Sequence, residues 1–131
     1  MNKYCLTYFL VIGNEKTFDF KDFCESLGFD YDYMQEWTVL EDGERSVEIG
    51  RNENYKDDIN EMVRETLKDL LGKEEILNKL KQKYNLKYYL ERVPCILIDE
   101  RVKRQKLSLD SDVLDFMSKT GTIDDLDYHL I

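Results

Sequence analysis

Proline is nearly absent from this chain, and histidine and tryptophan occur once each. The 131 residues hold one Pro, one His, one Trp, six Gly and three Cys. So little Pro and Gly excludes collagen-like and linker-rich proteins. A single histidine, His129, leaves any Ser or Cys nucleophile only one candidate base. There is no Gly-x-Ser-x-Gly elbow and no Gly-rich loop leading into Lys-Ser/Thr, so neither a hydrolase nucleophile nor a phosphate cradle is suggested. Cys5, Cys24 and Cys95 are odd in number, far apart and never in a Cys-x-x-Cys pair. They indicate neither a disulfide framework nor a zinc site, and each sits among apolar residues as a small hydrophobe. No segment approaches the ~18 consecutive apolar residues of a membrane span. The apolar N-terminal stretch, residues 1–13, has one Lys, two tyrosines and no small-x-small cleavage site, so it reads as structure and not as a leader. These absences predict a cytoplasmic protein with reduced thiols, no cofactor and no membrane partner.

What is present is charge and apolar mass in comparable amounts. The chain is 42% hydrophobic and 36% charged, with 19 Lys+Arg against 28 Asp+Glu and a net charge of -9. It is long enough for one domain, residues 1–131, with its own core. The acidic balance disfavours nucleic acid, whose affinity comes from Lys and Arg on phosphates. Charge is also segregated. Residues 14–48 carry eleven acids and three bases, residues 79–106 three acids and nine bases, and residues 108–131 six acids and one base. Blocks of this kind face water or one another more often than they mark a site.

Hydrophobic spacing gives the elements. Residues 4–12 read as a strand with Tyr4, Leu6, Tyr8, Leu10 and Ile12 on one face and Cys5, Phe9 and Val11 on the other, hence central and covered on both sides. Phe20, Phe23, Cys24 and Leu27 follow at helical spacing, with Asp19 as N-cap and Gly28 as stop. Residues 35–49 read as a hairpin around Asp42-Gly43. A three-residue loop, Glu41-Asp42-Gly43, pairs Trp37 with Val47 and keeps the apolar residues on one face, so it is preferred to a two-residue turn. Residues 55–84 carry a helical pattern in which Gly72 marks a kink or a break between two helices. Residues 86–98 form a strand that Pro94 consigns to an edge or a bulge. Asp110 then caps a helix with Val113, Leu114, Phe116 and Met117 inward, ended by Gly121. The last strand, residues 123–131, puts Leu126, Tyr128 and Leu130 on one face and Asp125, Asp127 and His129 on the other. The order β-α-β-β-α-β-α-β predicts an α+β fold: a ferredoxin-like β-α-β-β-α-β core with a mostly antiparallel sheet, plus a C-terminal helix and strand.

A set of spaced residues also resembles a known family. It comprises Leu27-Gly28-Phe29, then Trp37, Leu80-x-x-x-Tyr84, Leu107-Ser108-Leu109-Asp110 leading to Leu114-x-Phe116, Gly121, and Asp125-x-Asp127-Tyr128. Their order over nearly the whole chain resembles the bacterial family called domain of unknown function 4279. Residues 30–50 depart from it, being acidic and tyrosine-rich where the family often carries a basic, Gly-containing stretch. The resemblance implies a fold and no established activity.

Three groups of residues are candidate sites. Asp30-Tyr31-Asp32-Tyr33 alternates acid with an aromatic that has a polar handle, a composition suited to a basic protein partner. Asp125, Asp127 and His129 form a polar face at period two; three neighbours on one strand do not surround an ion, so no metal site is read. Arg101, Lys103, Arg104 and Lys106 form a basic loop able to hold an anion, or simply solvated. Trp37 reads as core. With no convergent catalytic set, the leading reading is a non-catalytic, immunity-type or scaffolding domain for a basic protein partner. The alternative is a small-ligand-binding or enzymatic module on the open sheet face. A homodimer would also cover that face, with the C-terminal helix as the competing cover.

Overall fold

The computed structural model describes residues 5–30, 35–40, 43–54, 59–93, 95–96, 108–127 and 129–130. Among these residues the chain is a mixed α+β protein with an open, mostly antiparallel sheet and four helices. In chain order these are β1 (Cys5–Asn14), α1 (Phe20–Leu27), β2 (Gln35–Leu40), β3 (Glu44–Asn54), α2 (Ile59–Leu67), α3 (Glu74–Tyr84), β4 (Lys87–Val93), β5 (Cys95–Ile96), α4 (Ser111–Thr120), β6 (Ile123–Leu126) and β7 (His129–Leu130). The main sheet runs β2-β3-β1-β4-β6, and β5 pairs with β7 in a separate two-stranded piece.

Local chemistry explains the helices. Asp19 caps α1 by accepting from the Asp22 N–H, and Gly28 ends it in the left-handed conformation at φ 73. Gly72, at φ 90, separates α2 from α3, so the predicted break is real. The four apolar residues at helical spacing in α1, Phe20, Phe23, Cys24 and Leu27, are all buried. Each large one contributes about 1.5–3 kcal/mol by leaving water.

β1 is central, between β3 and β4, and its faces differ. Cys5, Thr7, Phe9 and Val11 are buried, while Leu6, Tyr8, Leu10 and Ile12 are half-buried. The buried face meets the helices. The Phe9 ring lies 5.3 Å from that of Tyr88 and 6.2 Å from that of Phe116 in α4. The Tyr88 hydroxyl donates to the Leu77 carbonyl of α3 at 2.6 Å, and Thr7 reaches α2 through the Met62 carbonyl. All four helices therefore share one layer. Among the described residues no helix lies on the Leu6–Ile12 face, so the expectation that α4 covers it is corrected.

Four further expectations change. Leu40 pairs with Glu44, leaving three residues between them as expected, and Gly43 takes φ 71. A register shift between Thr38 and Leu40 then sets Trp37 opposite Ser46, not Val47. β4 is not an edge strand: β6 runs parallel along its outer side, from Tyr89↔Ile123 to Arg92↔Leu126. Pro94 itself lies outside the described residues. The last strand is not continuous but ends at Leu126 and resumes in β7 beside β5. Finally, Leu114 is 52% exposed, whereas Val113, Phe116 and Met117 are buried.

Candidate functional site on the open sheet face

The site begins with a bulge. Along β1 and β3, Thr7 faces Asn52 and Phe9 faces Ile49, so Gly50 and Arg51 together occupy the place opposite Tyr8. Gly50 adopts φ 65, and a Cβ there would stand 2.3 Å from the Thr66 carbonyl oxygen. Only glycine meets both demands. The Thr66 hydroxyl holds the bulge from beneath, donating to the Gly50 carbonyl at 2.8 Å and lying 2.7 Å from the Thr7 hydroxyl.

The extra residue resets the alternation, so that Glu48 and Arg51, three apart, meet. Arg51 Nη1 donates to both Glu48 carboxylate oxygens at 3.2 Å, and Nε donates to Glu53 at 2.8 Å. Its guanidinium lies 5.6 Å from the Tyr8 ring centroid. These carboxylates hold the Arg51 cation above its ordinary pKa against the opposing effect of burial.

The other side of Tyr8 is acidic. Tyr8 pairs with Glu91 of β4, and Glu91 with Asp125 of β6, so three adjacent strands set the three side chains in a row. Glu91 is only 9% exposed, as is Glu48. Its carboxyl pKa is pushed up to about 8, chiefly by burial, then by its hydrogen bond with Asp125 and the negative charges of Asp125, Asp127 and Glu48. The Tyr8 hydroxyl is also raised, by burial first and then by Glu91 and Glu48, with Arg51 acting in opposition. Around this polar row lie Leu6, Leu10 and Ile12, half-buried.

At the far end of β1 is a cleft of about 280 Å³ lined by Ile12, Asn14, Thr17, Tyr84, Asn85 and Lys87. Its polar walls already serve the fold. The Tyr84 hydroxyl donates to Asp22 at 2.5 Å, and Asn14 accepts from the Lys16 N–H at 2.9 Å.

The sequence candidates fare unequally. Asp125 belongs to the row. Asp127 lies just past β6, where its N–H donates to the Arg92 carbonyl at 2.9 Å, and its charge still reaches Glu91. His129 belongs to β7, opposite Cys95 in the small sheet, so the expected single face of Asp125, Asp127 and His129 does not form on one strand. Among the described residues, no group of three or more His, Cys, Asp or Glu is arranged to hold a metal ion. Asp30 is exposed after α1. Tyr31, Asp32, Tyr33, Arg101, Lys103, Arg104 and Lys106 lie outside the described residues. Tyr8, Glu48, Arg51 and Glu91 were missed as site residues. The available signal was Gly50, an isolated glycine in a strand pattern, which points to a bulge.

No family model, no curated protein and no solved structure matches the chain. No helix among the described residues is long and apolar enough to cross a membrane.

Proposed function

We propose that the protein is a non-catalytic binding domain, of immunity or scaffold type, that takes a basic protein partner on the open sheet face. One observation carries the reading: a half-buried apolar stripe, Leu6, Tyr8, Leu10 and Ile12, is lined by Glu48, Glu91 and Asp125. Apolar area gives a partner something to bury, and the carboxylates choose its sign and speed its approach. The same charges disfavour a homodimer. Two copies docked face to face would enclose Glu48 and Asp125 of both in one interface, and like charges brought together there cost free energy. The alternative, a small-ligand or enzymatic module on this face, draws support from the Glu91–Asp125 pair alone.

Three finer readings accompany the proposal. The core is taken as ferredoxin-like, supported by the order β2-β3-β1-β4 with each neighbouring pair antiparallel. Kinship with the domain of unknown function 4279 family rests on the residue pattern alone. A cytoplasmic, reducing location fits Cys5 and Cys24 as buried thiols.

Capture from a bacterial lysate tests the function. Wild type is compared with Asp125→Lys on the open face and Glu25→Lys on α1, where Glu25 is 68% exposed. The expected result is a basic protein retained by wild type and Glu25→Lys, lost by Asp125→Lys, and released near ~0.5 M salt as exposed charges are screened. Equal capture by all three, or an acidic partner held regardless of salt, overturns the reading.

A further inference from the structure

Two carboxyl groups in hydrogen-bond contact must share a proton, because two ionised ones repel and neither can donate. Glu91 and Asp125 are neighbouring carboxyls on one face, in direct register across β4 and β6, and each disfavours ionisation of the other. Their surroundings decide which partner holds the proton. Glu91 is nine-tenths buried, whereas Asp125 is exposed. Burial disfavours the charged form, so the proton stays on Glu91. Facing Glu91 are Tyr8 from β1, Glu48 and Arg51 from β3, and Asp125 and Asp127 from β6 and just beyond it. Arg51, the cation of this group, is already engaged by Glu48 and Glu53. The row therefore keeps an excess of negative potential that a proton relieves.

We infer that the Glu91–Asp125 pair is a proton switch on the docking face, holding one shared proton while the face is empty and giving it up when a cationic side chain of a partner is set against it. The inference rests on the docking reading for what arrives, and on the register of three strands for what is released. A lysine or arginine beside the row does what the proton does, offsetting the charges of Asp125 and Glu48, so the proton is no longer favoured and passes to water. Binding then releases a proton at neutral pH, and affinity for a cationic partner rises with pH until Glu91 is ionised in the unbound protein as well. Rising pH thus arms the surface.

Carbon-detected NMR titration of the glutamate carboxyls tests this, with tetralysine as the cationic probe. The expected midpoint for Glu91 is near the value of about 8 that its burial and neighbours set. It is expected to fall by more than one unit in Asp125→Asn, which removes the acceptor charge from an exposed position. A fall of at least one unit in wild type is expected when tetralysine is saturating. Glu91 titrating among the ordinary carboxyls overturns the switch. So does an unmoved Glu91 midpoint while tetralysine shifts the Tyr8 and Arg51 resonances. If tetralysine moves no resonance on the open face at millimolar concentration, the docking reading falls instead, whatever midpoint Glu91 shows.

Discussion

Arg51 lies over Tyr8 because Gly50, the residue between Ile49 and Arg51, adds one position to β3. Were Gly50 instead a regular strand position with no bulge, strict alternation would turn Arg51 toward the helix layer, where Thr7 and Thr66 meet. The cation 5.6 Å from the Tyr8 ring and the two 3.2 Å bonds to Glu48 are thus consequences of backbone geometry as much as of side-chain attraction.

Gly50→Ala is expected to destabilise the protein by about 2–4 kcal/mol. About 1–2 kcal/mol comes from a left-handed φ at a residue with a Cβ, and the rest from overlap with the Thr66 carbonyl. Urea denaturation reads this directly. A variant as stable as wild type would remove the bulge as an organiser of the site.

Glu91→Gln is expected to flatten the dependence of stability on pH. The folded-state pKa of Glu91, about 8, lies above its ordinary 4.5, so between these values the folded protein holds a proton that the unfolded chain has lost. Stability from this group is fully present below about 4.5, declines as pH rises, and levels off above about 8. Gln keeps a donor toward Asp125 at every pH. The variant is expected to gain on the order of 2 kcal/mol over wild type between pH 5 and pH 9, a figure reduced for solvent near the rim. Chemical denaturation at the two pH values checks it. A difference between the proteins that does not change with pH contradicts the assignment.

Neighbouring positions of α4 are expected to respond in opposite ways. Phe116 is 1% exposed and meets Phe9, so Phe116→Ala should cost about 3–5 kcal/mol. Leu114 is 52% exposed, so Leu114→Glu should stay within ~0.5 kcal/mol of wild type. Thermal unfolding of both variants distinguishes this arrangement from one in which Leu114 packs inward.

The sequence was most informative where local chemistry decides structure. Asp19, the spacing Phe20 to Leu27 and Gly28 define α1 without help from the rest of the fold, and Gly72 divides α2 from α3. It was least informative where a single inserted position changes a strand's register. The shift between Thr38 and Leu40 moves Trp37 from Val47 to Ser46. The bulge at Gly50 brings Glu48 to Arg51. Pro94 suggested an edge or a bulge for a strand that β6 in fact flanks, because a missing N–H donor says nothing about a neighbour supplied by a later segment. The row Tyr8, Glu91 and Asp125 comes from three strands far apart in the chain. No spacing within any one of them announces it, and Asp125 alone stood out through its alternation with Leu126.

The parallel seam between β4 and β6 also bears on synthesis. The inner neighbour of β4, β1, precedes it in the chain, but its outer neighbour is made later, as residues 123–126. At ordinary translation speeds the delay is roughly 2–6 s, long compared with the time helices and hairpins need to form. Phe116 is also made within that interval, so for part of it the Phe9 ring lacks its α4 cover. The bare flank of β4 and that ring are then what a chaperone, or a second nascent chain on the same message, would meet first.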